Sequence, residues 1–246
     1  MNTKAVFKKG STTYFVSSIF FPRIKRKEVS LLYAFVRIAD DFVDTVPAKK
    51  KEFFSFKKEF EKAWAGKSNS ALHNDVVSLA KKYDFKKSWF IAFFNSMEMD
   101  LYKKNYTFKE LKTYIYGSAE VIGLMLSRLL YLDRKLDAQA RKFGASMQLI
   151  NMIRDIKEDT ALGRTYLSKE LSFYMKYYKM WHADAQKAFP KIPYRYRVPI
   201  KTAADMYMWT ARKIEKDSSI PYKYKLKPKK FHILCRGLYN ATIKTI

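Results

Sequence analysis

Four aspartates carry the most chemical information in this chain. Asp155 and Asp159 stand four residues apart in Gln148-Leu-Ile-Asn151-Met-Ile-Arg154-Asp155-Ile-Lys-Glu158-Asp159. Asp40 and Asp44 repeat the spacing in Arg37-Ile-Ala-Asp40-Asp41-Phe-Val-Asp44. On a helix, residues four apart share a face, so Asn151, Asp155 and Asp159 form one edge with Gln148 and Arg154 close by. Leu149, Ile150, Met152, Ile153 and Ile156 supply the apolar anchor between. Two carboxylates one turn apart repel each other unless a cation sits between them. A single pair is more often a solvated helix face balanced by Lys and Arg. Two pairs, each set among apolar residues and each with an arginine just upstream, call for a stronger explanation. Mg²⁺ prefers oxygen ligands, takes one or two carboxylates, and leaves the rest of its shell to water and phosphate. Two facing pairs would hold two or three such ions against a diphosphate, with Arg and Lys neutralising the remainder. An allylic C–O bond could then ionise. An apolar cavity with Phe and Tyr faces would shield and stabilise the cation.

Helices must position these groups. The chain has 246 residues, 48% hydrophobic and 17% aromatic, with only seven Gly and seven Pro, which favours one large helical domain (1–246) over a turn-rich β protein. Apolar residues recur at helical spacing over 28–46, where Leu31, Leu32, Phe35, Val36, Ala39, Phe42 and Val43 line one side. Further helices are predicted over 49–65, 72–83, 86–105, 107–132, 137–160, 167–189 and 202–217, with a short one over 11–21 stopped by Pro22. Residues 23–27 read as an exposed basic stretch, and 190–199 and 221–230 as basic linkers. Gly117 and Gly123 inside the 107–132 helix each cost about 1 kcal/mol relative to alanine, so close approach of a neighbour or a kink is expected there.

Charge and cysteine content narrow the function classes. Cys235 is the only cysteine, which excludes an intrachain disulfide and a cysteine zinc site, and the three histidines form no ligand motif. No secretory signal is visible, and no stretch reaches eighteen uncharged apolar residues. We expect a cytoplasmic protein, peripheral on the inner face of the membrane. The net charge of +26 attracts anionic partners without choosing among them.

The motifs resemble those of the squalene/phytoene synthases, which join two prenyl diphosphates head to head. Tyr33-Ala-Phe-Val-Arg37 to Asp44 resembles the family's first aspartate-rich motif. Gln148 to Asp159, followed by Gly163-Arg164-Thr-Tyr166, resembles the second. Tyr114-Ile-Tyr116-Gly-Ser-Ala-Glu120 to Gly123 resembles its tyrosine-bearing helix, and Ser11-Thr-Thr13-Tyr14 its N-terminal flap. The resemblance spans roughly residues 11–220 and implies the all-α isoprenoid synthase (class I terpenoid synthase) bundle around a central active-site cavity. It implies Mg²⁺, with Mn²⁺ as the substitute, on Asp40, Asp44, Asp155 and Asp159, joined by Asn151. It implies diphosphate contacts from Ser11, Thr13, Tyr33, Arg37, Gln148, Asn151 and Arg154. Tyr114 and Tyr166 would stand by the leaving group and assist proton removal. Asp41 and Glu158 read as flanking groups. Glu120, where relatives carry a small residue, falls either near the cavity or on the helix's outer side. The cavity floor is expected from among Phe15, Phe35, Phe93, Met97 and Met147.

The resemblance points most to prokaryotic phytoene synthase: two geranylgeranyl diphosphates, a cyclopropylcarbinyl diphosphate intermediate, then phytoene, for carotenoid biosynthesis. Farnesyl diphosphate would instead give dehydrosqualene, or squalene if NADPH supplied a hydride; NADPH is otherwise not expected. A class I terpene cyclase is the nearest rival, since Asp40-Asp41-x-x-Asp44 and the Asn151/Asp155/Asp159 spacing also fit that group. A basic helical nucleic-acid binder is the rival from another class, resting on the net charge and the lysine run at 223–230. That run carries no reader motif, so no nucleic acid is expected. The basic surface is expected to meet anionic lipid instead, because substrate and product partition into membrane. Oligomeric state is not legible.

Overall fold

A computed structural model describes residues 2–243; residue 1 and residues 244–246, the ends of the expected domain, lie outside the described residues. Among the described residues the fold is all-α, with one isolated β-bridge between Asn105 and Thr165. The chain opens with two short helices, α1 (Thr3–Gly10) and α2 (Thr12–Ser17). The long α3 (Arg23–Asp44) follows Pro22, buries Leu32, Phe35, Ala39 and Val43 at helical spacing, and stops before Pro47. Next come α4 (Lys50–Trp64), α5 (Ala71–Lys82) and α6 (Lys87–Tyr102). Their Phe53, Phe56, Phe60, Phe90 and Phe94 meet Phe35 in one aromatic core. This core anchors the first aspartate motif, because Asp40 and Asp44 project from the helix that Phe35 holds.

A capping box starts α7 (Phe108–Ile115): Glu110 Oε2 accepts from the Thr107 N–H at 2.8 Å, and Thr107 Oγ1 accepts from the Glu110 N–H. Such a cap contributes about 1 kcal/mol. A π-helical turn over Tyr116–Glu120 then leads into α8 (Val121–Leu129). The close approach expected at the two glycines is present. A Cβ on Gly117 would fall 2.1 Å from the Ala92 carbonyl oxygen of α6, and one on Gly123 would fall 2.2 Å from that of Ala140. Ala140 belongs to α9 (Asp137–Arg154), so both neighbours of the π turn sit at backbone contact. No side chain larger than hydrogen fits either place.

The expected helix over 137–160 is divided. Asp155 leaves helical geometry (φ −99°, ψ 11°), and α10 (Ile156–Ala161) restarts beyond it. The deviation lets Arg154 close both guanidinium arms on the adjacent Asp155, a contact that neighbouring residues on a regular helix do not face each other to make. After α11 (Leu171–Gln186), the expected linker over 190–199 proves largely helical, since α12 (Tyr194–Lys216) begins inside it and carries Pro199 within its second turn. The linker over 221–230 holds a one-turn helix, α13 (Ile220–Lys223), and leads into an unexpected helix, α14 (Lys230–Thr242). Residues 23–27 form the first turn of α3, with Arg23, Ile24 and Lys27 exposed as expected and Lys25 turned inward. Lys25 is buried there, donating to Tyr83 Oη at 2.8 Å and to the Leu129 carbonyl at 2.6 Å, with Glu28 at 3.2 Å. No helix among the described residues is long and apolar enough to cross a membrane.

Candidate active site

The two aspartate motifs, far apart in sequence, line one cavity of about 350 Å³. Every residue expected to bind metal or diphosphate, or to stand by the leaving group, is in its wall. Asp40, Asp44, Tyr33 and Arg37 come from α3; Gln148, Asn151 and Arg154 from α9; Asp155 and Asp159 from the junction and α10. Ser11 and Thr13 enter from α2 and its cap, Tyr114 from α7, and Tyr166 from the segment after α10. Of the five candidates for the floor, Phe93 and Met97 line the cavity and Phe15, Phe35 and Met147 do not. Phe35 is spent in the aromatic core, and Met147 is buried among core residues on α9. Glu120 is not in the lining; it accepts from Arg141 Nε at 2.7 Å on the outer side.

The carboxylates differ in what holds them. Arg37 donates to Asp40 at 2.7 Å and pairs with Asp41 at 2.5 Å. Burial and the facing Asp44 still push Asp40 up to about 8. Asp44 accepts from Arg164 at 2.6 Å, and the same guanidinium donates to the Val43 carbonyl. Arg164 follows the second motif in sequence and thus ties it to the end of the first. Burial alone would raise Asp155, but the Arg154 fork at 2.6 and 2.7 Å and Lys225 at 3.1 Å hold it below the usual range. Lys225 also pairs with Glu158. Asp159 has no side-chain hydrogen bond or ion pair among the described residues, and burial, Asp155 and Asp44 push it up to about 8. Asn151 Oδ1 and Ser118 Oγ, both on cavity-lining residues, are buried and without a partner.

Burial, with the neighbouring carboxylates, raises both Asp40 and Asp159 in this donor set. An unpartnered amide oxygen beside carboxylates suits a hard oxygen-seeking cation. Among the described residues no three His, Cys, Asp or Glu side chains converge tightly enough to enclose a metal by themselves.

Sequence reasoning missed the groups that support this wall. Asp100 of α6 is buried behind it and accepts from Tyr106 at 2.9 Å, Tyr114 at 2.7 Å and Tyr166 at 2.6 Å, with Arg164 at 3.9 Å. Burial raises its pKa, against the pull of Arg164 and the three phenols. Burial and the Asp100 charge in turn raise Tyr114 and Tyr166, so both phenols stay protonated. The available signal was a lone carboxylate interrupting the Phe93, Met97, Leu101 stripe, since a buried charge needs partners. Lys225 and Lys227 also line the cavity, from the stretch read as a linker. Burial, with Lys225 close by, lowers Lys227.

Comparison with known proteins follows the same lines. The squalene/phytoene synthase family profile matches residues 7–174. The chain is 26% identical over 175 residues to 15-cis-phytoene synthase of Synechococcus elongatus, covering 64% of this chain and 57% of that protein. It is 27% identical over 167 residues to phytoene synthase of Thermus thermophilus, covering 68% and 58%. The matches thus span little more than half the length of these relatives. Among solved structures, a dehydrosqualene synthase superposes with a TM-score of 0.86 at 22% identity, covering 97% of this chain and 93% of that one. That likeness establishes the shared helical fold.

Proposed function

Because the chain belongs to the squalene/phytoene synthase family, we propose that it condenses two prenyl diphosphates head to head through a cyclopropylcarbinyl diphosphate. The observation that carries this reading is the meeting of both aspartate pairs across one cavity with basic and apolar walls. We assign geranylgeranyl diphosphate as substrate and phytoene as product, a choice supported by the phytoene synthases among the sequence relatives. Mg²⁺, or Mn²⁺ in its place, would be held by Asp40, Asp44, Asp155, Asp159 and Asn151 Oδ1. When bound, it would supply the positive charge that stabilises a departing diphosphate.

The chain's own residues do the rest. Arg37, Arg154, Lys225 and Lys227 bring fixed positive charge to the diphosphates, and Ser11, Thr13 and Gln148 offer hydrogen bonds. Tyr33, stacked on Phe7 at 4.2 Å, lines the same wall. Phe93, Met97 and Met152 line the cavity with apolar surface that excludes water from an allylic cation. Tyr114 and Tyr166 already donate their phenolic protons to Asp100. Either phenolic oxygen can therefore take a proton from the substrate while passing its own to Asp100, whose raised pKa suits it to receive one.

The test is incubation of the chain with geranylgeranyl or farnesyl diphosphate and Mg²⁺, with and without NADPH, followed by hydrocarbon analysis. We expect phytoene from the twenty-carbon substrate without NADPH. A thirty-carbon hydrocarbon from farnesyl diphosphate alone would move the substrate assignment. A cyclised product from a single substrate molecule would overturn the head-to-head reading.

A further inference from the structure

The last helix is amphipathic with its faces reversed. α14 turns Ile233, Gly237 and Asn240 inward. Its outward face carries Phe231, Leu234, Leu238 and Tyr239, which are 69%, 37%, 60% and 53% exposed. Positions 231, 234 and 238 form a single stripe along the helix. The inner face is firmly seated by one apolar anchor, Ile233, which clusters with Val16 and Met206. Gly237 lies against the Phe20 ring, where a Cβ would fall 2.0 Å from a ring carbon. Asn240 Nδ2 donates to Asp205 at 3.0 Å and to Thr202 at 3.2 Å. An ordered helix that keeps its largest apolar side chains in water marks a contact surface.

Charge identifies what the surface meets. From residue 218 to residue 246 the sequence has seven Lys or Arg and no Asp or Glu. A second copy of this chain would bring another +26 to the contact and be repelled. A bilayer with acidic headgroups satisfies both features, attracting the lysines and accepting the apolar stripe at its acyl boundary. We propose that the outward face of α14, with Lys229 and Lys230 at its start, docks the protein onto an anionic lipid surface. The placement is useful. α14 packs on α2, whose first residues line the cavity, and it follows the segment bearing Lys225 and Lys227, which line it too. A docked α14 is thus tied directly to two parts of the cavity wall.

The chain carries its own reporter, since Cys235 is the only cysteine and is exposed on this helix. The full chain is labelled there with an environment-sensitive fluorophore and mixed with vesicles of phosphatidylcholine, alone or with one part in four phosphatidylglycerol. We expect a blue-shifted, brighter signal on the acidic vesicles only, reversed by high salt. Phe231→Ser with Leu238→Ser should weaken vesicle binding about tenfold or more, as loss of two buried apolar groups implies, with melting unchanged because both side chains are exposed. Lys229→Glu with Lys230→Glu should remove most of the salt-sensitive part. Equal response to neutral and acidic vesicles, or wild-type binding by the Phe231/Leu238 variant, overturns the proposal. So does a lipid-free, concentration-dependent shift of the label accompanied by a dimer in sedimentation, which would make a second copy the occupant.

Discussion

The two aspartate pairs share a spacing and differ in everything that surrounds it. Asp40 and Asp44 ride on an unbroken helix, and each accepts from one arginine, Arg37 and Arg164 respectively. Asp155 sits at a helix break and takes a two-armed arginine plus a lysine, while Asp159, four residues on, has neither. The second pair is therefore divided into a carboxylate neutralised by Arg154 and Lys225 and one with no ion pair among the described residues. The difference teaches that equal spacing does not mean equal roles. Asp155 positions Arg154 as much as Arg154 holds Asp155, whereas Asp159 has no such partner and is raised by burial, Asp155 and Asp44.

The largest expected effect is on turnover. Asp40→Asn, Asp155→Asn and Asp159→Asn should each lower kcat by roughly 10³-fold or more, the scale of losing metal-assisted charge stabilisation worth several kcal/mol. Near-wild-type turnover by any of them would sink the metal assignment at that position. Stability should then separate the two members of the second pair. Without divalent cations, Asp155→Asn should destabilise by about 3 kcal/mol, because it strands a buried guanidinium. Above pH 8, where Asp159 is ionised, Asp159→Asn should instead stabilise by about 1 kcal/mol, because it removes an uncompensated charge. Urea denaturation of both variants reads this directly, and shifts of the same sign would break the contrast.

pH sharpens it further. Asp159 is raised on folding to about 8, so the folded state binds a proton there that the unfolded chain has lost. Its contribution is favourable below the unfolded carboxylate range near 4 and is lost as pH rises toward 8. Asp155 is lowered on folding, so its contribution is present above that range and lost only in acid. Metal-free wild type should thus lose stability between pH 5.5 and 8, and Asp159→Asn should flatten the slope in urea titrations. The smallest effect is expected at Glu120. Its pair with the half-exposed Arg141 lies outside the cavity, so Glu120→Ala should change stability by less than about 1 kcal/mol and leave turnover unaltered.

The helices that the sequence made legible are those whose buried face is apolar. Leu32, Phe35, Ala39 and Val43 repeat at helical spacing in α3, and that face is the one packed against the aromatic core. α14 escaped because its inward face is Ile233, Gly237 and Asn240, and its apolar residues look outward. The start of α12 was hidden by Pro193 and Pro199 among arginines and tyrosines. In the site, Asp40 with Asp44, and Asn151 with Asp155 and Asp159, were readable because helical spacing puts each set on one face, whereas Ser11, Thr13, Tyr33, Tyr114 and Tyr166 were readable only through the resemblance. Asp100, Lys225 and Lys227 were not, because each reaches the site from an element that only packing brings there. The break at Asp155 was equally invisible, since it depends on where the Arg154 side chain turns.

Whether the two unequal pairs act as one clamp is best tested by the affinity of the chain for inorganic diphosphate in the presence of Mg²⁺, read by calorimetry. Wild type, Asp40→Asn, Asp159→Asn and the double variant complete a mutant cycle. A shared clamp predicts that either single change removes most of the affinity and that the double is scarcely worse, with a coupling of at least about 1 kcal/mol. Losses that simply add, to within about 0.5 kcal/mol, would show two independent acidic faces and contradict the account.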